Sequence, residues 1–127
     1  MPVLGMGGYF FRAQDPAAIK AWYAEFLGVG GGQGIDPATG EANEWLWFQQ
    51  AGPTVFEPFK ADSDYFAADK QAMINLRVSD LDGLVSSLRA AGIEITREQE
   101  MAGVGRFARI HDPEGNAIEL WEPPVRQ

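Results

Sequence analysis

The sequence repeats its own pattern of strands and helices, and this internal repeat restricts the possible folds more than any other feature. Two shifts along the chain, by 65 and by 62 residues, superpose matching segments. The superposed pairs are Tyr9 and Ile74, Phe11 and Leu76, Asp15 and Asp80, Phe56 and Ile118, and Glu57 and Glu119. A chain of 127 residues has room for one domain. The repeat therefore predicts a single domain over residues 1–127, with one module over about 5–60 and a second over about 70–125.

Each predicted module contains one amphipathic helix. Apolar residues recur at helical spacing within 15–27 and again within 81–88. Asp15 and Asp80 stand where an N-cap is expected. Gly28 and Gly92 stand where a left-handed residue closes a helix. The helix boundaries are therefore predicted at both ends.

Alternating apolar and polar residues predict the strands. We expect strands at 8–13 and 73–78, a hairpin of 44–50 with 54–59, and a hairpin of 106–110 with 117–121 around a turn at 112–116. Alternation in 73–78 places Met73, Asn75 and Arg77 on the face that the helix does not cover. Two such faces side by side would enclose a cleft, and the connection 61–71 is either a solvated linker or a cover for it.

Composition excludes several kinds of site. The chain has no cysteine, so it has no disulfide, thiolate nucleophile or thiolate metal site, and its one histidine, His111, is expected at the surface. The net charge of −8 argues against nucleic acids and anionic membranes as partners. No apolar run approaches the roughly 20 residues that cross a bilayer. We expect a cytoplasmic protein whose partner is a small molecule.

Three segments resemble the vicinal oxygen chelate superfamily, which includes glyoxalase I, extradiol dioxygenases and the bleomycin resistance proteins. They are 11–28, 74–93 and 112–123, and the Asp-Pro-Glu-Gly-Asn turn at 112–116 is the most specific of their motifs. The resemblance implies an α+β fold of two tandem βαβββ modules. These would form a cup-shaped mixed sheet with helices on the convex face and a ligand cavity on the concave face. It also implies a homodimer.

The same resemblance implies a broken metal site. Metal enzymes of the superfamily take four ligands, at positions that correspond here to Gly8, Glu57, Met73 and Glu119. Glycine has no ligating side chain, and the methionine thioether is a poor ligand for hard cations. No cofactor is therefore expected, and a divalent cation held weakly by Glu57 and Glu119 is the alternative.

Glu119 is the candidate catalytic carboxylate, because Ile118 and Leu120 on either side direct it away from the core. Glu57 and Glu119 are each either a base or cation ligand in the cup, or a solvated strand-end residue paired with an arginine. Arg77 and Arg109 either recognise an anionic group of the ligand or neutralise these glutamates.

Large apolar side chains occupy the alternate strand positions that point to the face not covered by the helices, and they would line the cup. They are Phe10, Trp45, Trp47, Met73, Phe107 and Trp121. Asn75 is the expected hydrogen-bonding group among them, since a polar amide in such surroundings needs a partner. Alternatively, about half of these apolar residues fill the core or a dimer interface.

These residues predict a protein that binds an aromatic or cationic small molecule without a metal. The alternative is a lyase or isomerase in which Glu119 abstracts a proton next to a carbonyl and Arg77 or Arg109 stabilises the enolate. A metal-dependent glyoxalase I or dioxygenase is the third possibility, because the ligand set is incomplete.

Overall fold

The computed structural model of the protein describes residues 2–30, 36, 38–41 and 46–125. Within these ranges the elements are, in chain order, α1 (Pro16–Leu27), β1 (Ile74–Arg77), α2 (Leu81–Ala90), β2 (Arg97–Met101), β3 (Gly105–His111) and β4 (Ala117–Glu122). The second half of the chain is a complete βαβββ module. The predicted α+β class is confirmed.

The four strands form one mixed sheet in the order β1-β4-β3-β2. β1 runs parallel to β4, whereas β4 with β3 and β3 with β2 are antiparallel. β4 has a neighbour on both sides, and every residue from Ala117 to Trp121 is buried. The second predicted hairpin, at 106–110 and 117–121, is therefore confirmed as β3 and β4.

Both helices begin at the predicted caps. The carboxylates of Asp15 and Asp80 accept hydrogen bonds from the backbone amides of Ala18 and Gly83, at 3.1 and 3.0 Å. Gly28 ends α1 in the left-handed conformation, with φ of 66°, where a side chain would be disfavoured.

The helices pack on the same face of the sheet and form the core with it. The buried side chains of this core are Ile19, Tyr23, Leu76, Leu81, Val85, Leu88, Ala108, Ile110, Ile118 and Leu120. The strand members alternate with residues that point away from the helices, as the sequence predicts for β1 and β4. The face opposite the helices is therefore available for a site.

The described residues of the first half contain none of the strands predicted there. Residues 8–13, 46–50 and 54–59 are described without a strand, and 44–45 lie outside the described residues. A strand forms only where a neighbouring backbone pairs with it, and no hydrogen bond joins the backbone of 8–13 to another described segment. The side chains keep only part of the predicted alternation: the Phe11 ring lies 6.0 Å from the Tyr23 ring and Phe10 is 94 % exposed, but Phe11 itself is 43 % exposed.

β2 is the opposite case: the structure contains this strand, but the sequence pattern does not predict it. All five of its residues are exposed, so no alternation of apolar and polar residues marks it. Pairing with β3 alone makes this segment a strand. No helix in the described ranges is long and apolar enough to span a bilayer.

Candidate functional site

The register of the sheet brings side chains from all four strands together on the face opposite the helices, called here the distal face. Residues paired directly across neighbouring strands point to the same side of a sheet. The distal face accordingly carries Asn75, Arg77, Arg97, Phe107, Arg109, Glu119 and Trp121. The sequence predicts all of these except Arg97, which lies on the strand that it leaves unassigned.

Glu119 lies at the centre of the distal face and is only 9 % exposed. Its Oε1 accepts a hydrogen bond from Asn75 Nδ2 at 2.8 Å, and its Oε2 accepts one from the Tyr65 hydroxyl at 2.5 Å. Both donors are neutral, and neither Arg77 nor Arg109 forms an ion pair with this carboxylate. A buried carboxylate without a cationic partner is uncommon, because the transfer of its charge out of water is costly.

Tyr65 reaches Glu119 from the connection between the two halves, which thus covers the centre of the distal face. The guanidinium carbons of Arg97 and Arg109 lie over its ring, at 4.9 and 4.5 Å from the centroid. Burial raises the pKa of Tyr65, and the hydrogen bond to Glu119 and the charge of that carboxylate raise it further. Neither the repeat nor the strand alternation includes Tyr65, so the sequence offers no pattern that identifies this residue.

Arg109 joins the connection to the sheet. Its Nη1 donates to the backbone oxygen of Tyr65 at 2.6 Å, and its Nη2 lies 3.5 Å from the Met73 sulfur. Its Nε is buried and has no hydrogen-bond partner among the residues that the structure describes. This Nε is therefore a buried hydrogen-bond donor without an acceptor in the described structure.

An aromatic pair lies beside this polar centre. The rings of Phe107 and Trp121 stack with an interplanar angle of 6° and a centroid distance of 6.2 Å. Trp121 Nε1 donates to the carbonyl of Val104 at 2.9 Å, which fixes the indole. Arg77 donates to the carbonyl of Gln50 at 2.7 Å and so ties a segment of the first half to this face.

The predicted site residues of the first half do not lie among the residues around Glu119. Phe10 is 94 % exposed, with its ring folded over Gly8, and Trp47 and Glu57 are exposed. Trp45 lies outside the described residues. The predicted strands that would orient these side chains do not form, so parity along the chain does not assign them to a sheet face. His111 is exposed, as predicted.

The four positions that correspond to the superfamily's metal ligands do not form a metal site here. Gly8 offers no ligand, Glu57 is exposed, and both oxygens of Glu119 accept hydrogen bonds. The sulfur of Met73 faces the guanidinium of Arg109. In the described part of the chain, no group of three or more His, Cys, Asp or Glu residues is arranged to hold a metal ion. The donor set therefore does not fit a metal.

Two surface cavities, of about 300 and 200 Å³, lie away from the distal face. The first is lined by residues that include Trp22, Ile93 and His111, and the second by residues that include Arg106 and Pro123. Neither is lined by Tyr65 or by any of the seven residues named above for the distal face. Of the two alternatives for the connection 61–71, a solvated linker or a cover for the cleft, the position of Tyr65 over the carboxylate matches the cover.

Comparison with known proteins identifies the family. A family model described as a glyoxalase-like domain matches residues 9–121. The chain belongs to this family, and with it to the vicinal oxygen chelate superfamily, so the predicted membership is confirmed. No match was found among the curated proteins.

Two solved structures share the fold. One is the antibiotic binding protein TnmS3 from Streptomyces sp. CB03234, with 20% identity over 98% of this chain and 99% of that chain and a TM-score of 0.61. The other is the lactoylglutathione lyase from Agrobacterium tumefaciens, with 18% identity over 96% of each chain and a TM-score of 0.59. At these identities the similarity shows the shared fold alone, and one fold hosts many functions.

Proposed function

We propose that the protein binds a small organic molecule, aromatic or cationic, on the distal face and without a metal. The observation that carries this proposal is the buried Glu119 carboxylate, which is satisfied by two neutral donors. An unpaired buried charge costs free energy that packing alone does not return. Acidic residues are seldom buried without an ionic partner, and a role in ligand binding accounts for one here.

The surroundings of Glu119 support a site for an organic molecule. Phe107 and Trp121 present stacked aromatic surface, and Asn75 supplies a polar group of fixed orientation. Binding sites for small molecules combine extensive apolar surface with a few oriented polar groups. TnmS3 is described as an antibiotic binding protein, so ligand binding is a function that this fold accommodates.

A lyase or isomerase with Glu119 as the base receives less support. Proton abstraction requires a carboxylate oxygen that faces the substrate within hydrogen-bond distance. Both oxygens already accept hydrogen bonds, from Tyr65 and from Asn75. A ligand must also displace one of these donors to reach the carboxylate, but binding then requires no proton transfer, whereas catalysis does.

Calorimetry with two aromatic probes, neutral indole and cationic N-methylquinolinium, tests the proposal. We expect saturable binding of at least one probe, and weaker binding by about tenfold in Glu119→Gln, since a hydrogen bond or ion pair to the carboxylate contributes about 1.5–3 kcal/mol. Glu100→Gln is the matched control, because Glu100 is exposed and alternates to the other side of β2. Binding of neither probe, or an equal loss in both variants, would disprove the proposal.

We further propose that the protein assembles as a homodimer in the cytoplasm. Of the fifteen large apolar residues that are exposed in the described part of the chain, twelve precede residue 60. Concentrated apolar surface of this kind is typical of a protein interface. β1 is also an edge strand, with one side unpaired within the described chain.

A further inference from the structure

Tyr65 occupies the distal face in the manner of a bound ligand. It belongs to residues 59–66, called here the strap, which contain neither helix nor strand. Its hydroxyl donates to Glu119 at 2.5 Å, and its ring lies against two guanidinium groups. Every group of the phenol therefore has a complementary partner on the sheet.

We infer that the ligand of this site is a neutral hydroxyaromatic molecule that takes the place of the Tyr65 side chain. Its ring would lie against Arg97 and Arg109, and its hydroxyl would donate to Glu119. This inference rests on the proposed function and narrows the ligand class within it.

The charges around Tyr65 favour a neutral ligand over a cationic or an anionic one. A cation in the position of the phenol would lie near Arg97 and Arg109, whose guanidinium carbons are within 5 Å of the ring centroid in the present arrangement. An anionic group in the position of the hydroxyl would meet the carboxylate of Glu119 at hydrogen-bond distance. A neutral, electron-rich ring attracts guanidinium groups, and a hydroxyl satisfies the carboxylate.

The strap is held to the sheet chiefly through this one residue. Apart from the bond that Arg109 Nη1 donates to the Tyr65 carbonyl, the backbone hydrogen bonds of the strap within the described chain are local. They run from the Ser63 amide to the Lys60 carbonyl and from the Tyr65 amide to the Ser63 side chain. Phe59 contacts Tyr65 edge to face at 5.4 Å and is itself about half exposed. Displacement of Tyr65 would therefore break few contacts elsewhere.

The buried Nε of Arg109 supports a ligand at this site by an independent route. While Tyr65 is in place, no atom in the described part of the chain forms a hydrogen bond with this Nε. Buried donors are nearly always satisfied in native proteins, so an orphaned donor calls for an explanation. The Tyr65 phenol does not satisfy this donor, so the hydroxyaromatic ligand would need a second group on its ring, a hydrogen-bond acceptor, to complete it.

Competition from the tethered phenol predicts a measurable effect. A side chain on a short flexible tether is present at an effective concentration in the millimolar range. The apparent affinity for a free phenol equals the intrinsic affinity multiplied by the fraction of molecules in which Tyr65 has left the site. Removal of the Tyr65 side chain should therefore strengthen binding of a free phenol.

The experiment measures binding of p-cresol, which matches the tyrosine side chain, to the full chain by calorimetry. We expect Tyr65→Ala to bind p-cresol at least about tenfold more tightly than the unaltered protein. Toluene lacks the hydroxyl and benzylammonium carries a charge, so both should bind Tyr65→Ala at least about tenfold more weakly than p-cresol does. The p-cresol affinity of Tyr65→Ala should fall when Glu119→Gln is added.

Tyr9→Ala is the matched control, because Tyr9 is also partly exposed and lies outside the distal face. It should leave p-cresol affinity unchanged.

Tyr65→Phe covers the case in which Tyr65→Ala fails to fold, since it keeps the ring and removes only the hydroxyl that competes for Glu119. It should also bind p-cresol more tightly than the unaltered protein.

The outcomes separate this inference from the proposed function. Indole or N-methylquinolinium binding that depends on Glu119, without stronger p-cresol binding in the Tyr65 variants, would overturn the hydroxyaromatic ligand and leave the binding function intact. Equal affinity of Tyr65→Ala for p-cresol, toluene and benzylammonium would also overturn it. If no probe binds any variant, both fail together.

Discussion

Asp112 explains at the scale of one residue why the Asp-Pro-Glu-Gly-Asn turn is so distinctive a motif. Its carboxylate is buried and accepts hydrogen bonds from the backbone amides of Glu114 and Asn116 and from the Asn116 side chain. The Tyr23 hydroxyl of α1 donates to it as well, at 2.7 Å. One side chain thus closes the turn between β3 and β4 and attaches α1 to it.

Tyr23→Phe should change how stability depends on pH. Burial raises the pKa of Tyr23, and the hydrogen bond to Asp112 and its negative charge raise it further. The folded protein therefore retains the phenolic proton above the unfolded pKa of about 10, and the stability that this contributes is complete below that pH and is lost as pH rises further.

Urea unfolding at about pH 8 and about pH 11 measures both effects. At the lower pH the variant should be less stable by about 1 kcal/mol, because one hydrogen bond is lost while Asp112 keeps its other donors. Above about pH 10 its free energy of unfolding should fall less steeply than that of the unaltered protein. The same slope in both proteins would contradict the assignment.

Gly105→Ala should destabilise the start of β3. Gly105 has a φ of 127°, and a β-carbon there would collide with the backbone oxygen of Glu122 and lie 2.9 Å from Trp121 Nε1. The strained backbone alone costs about 1–3 kcal/mol. Gly103→Ala is the control, since Gly103 also has a positive φ, of 78°, but open space around it. Chemical denaturation should show a larger loss at 105, and equal losses would rule out the steric contribution.

The polar residues of the distal face show what can be predicted at this scale. Asn75 and Glu119 were predicted to share a face because each lies between apolar residues in a strand of regular alternation. Tyr65 could not be predicted, since it lies in an irregular connection and its position depends on partners in three different strands.

At the scale of elements, Glu114 connects α1 to the turn between β3 and β4. Its carboxylate accepts hydrogen bonds from the backbone amides of Gln14 and Asp15, at 2.6 and 3.0 Å. These amides precede the helix, so the contact fixes where α1 begins relative to the sheet. Glu114 and the buried Tyr23 thus both attach α1 to the turn between β3 and β4.

Glu114→Ala should loosen α1 selectively. The loss of two partly solvated hydrogen bonds to a carboxylate should cost about 1–3 kcal/mol, and the first turn of α1 should lose protection first. Hydrogen exchange compares the amides of α1 with those of α2, whose cap at Asp80 is unaffected. Glu94→Ala, at an exposed loop residue, is the control and should leave both helices unchanged. Equal loss of protection in α1 and α2 would argue against a local role.

The elements differ in how far local pattern predicts them. α1, α2, β3 and β4 carry caps, periodicity or turn residues within their own segments, so their positions follow from the sequence. β2 is exposed throughout and depends on pairing with β3. The segments 8–13 and 54–59 have a strand pattern but no backbone partner within the described chain. Pattern establishes which side chains suit a strand, whereas pairing decides whether one forms.

At the scale of the whole molecule, the first half presents apolar surface that the core does not cover. Phe10 and Phe56 are 94 % and 90 % exposed, although both lie in segments with strand-like patterns. Isolated exposed apolar residues are common, but a concentration of large ones indicates an interface. A second copy is the partner that we propose.

Sedimentation over a range of protein concentrations tests this homodimer. We expect a dimer, and a shift towards monomer by at least about tenfold in dissociation constant when Phe10→Ser and Phe56→Ser are combined, since each removes a large apolar contact. Val125→Ser is the control, because Val125 is equally exposed but lies at the other end of the chain. A monomer at every concentration would show that this surface has another role.

The sequence by itself determined the two helices, the central hairpin, the family and the face on which Glu119 lies, because caps, turns and alternation act between residues close in the chain. Only the tertiary structure decided that Tyr65 covers this carboxylate and that Arg97 lies against the Tyr65 ring. It also decided that the candidate site residues of the first half lie outside the group around Glu119. Those outcomes depend on contacts between distant segments, and no local spacing encodes them.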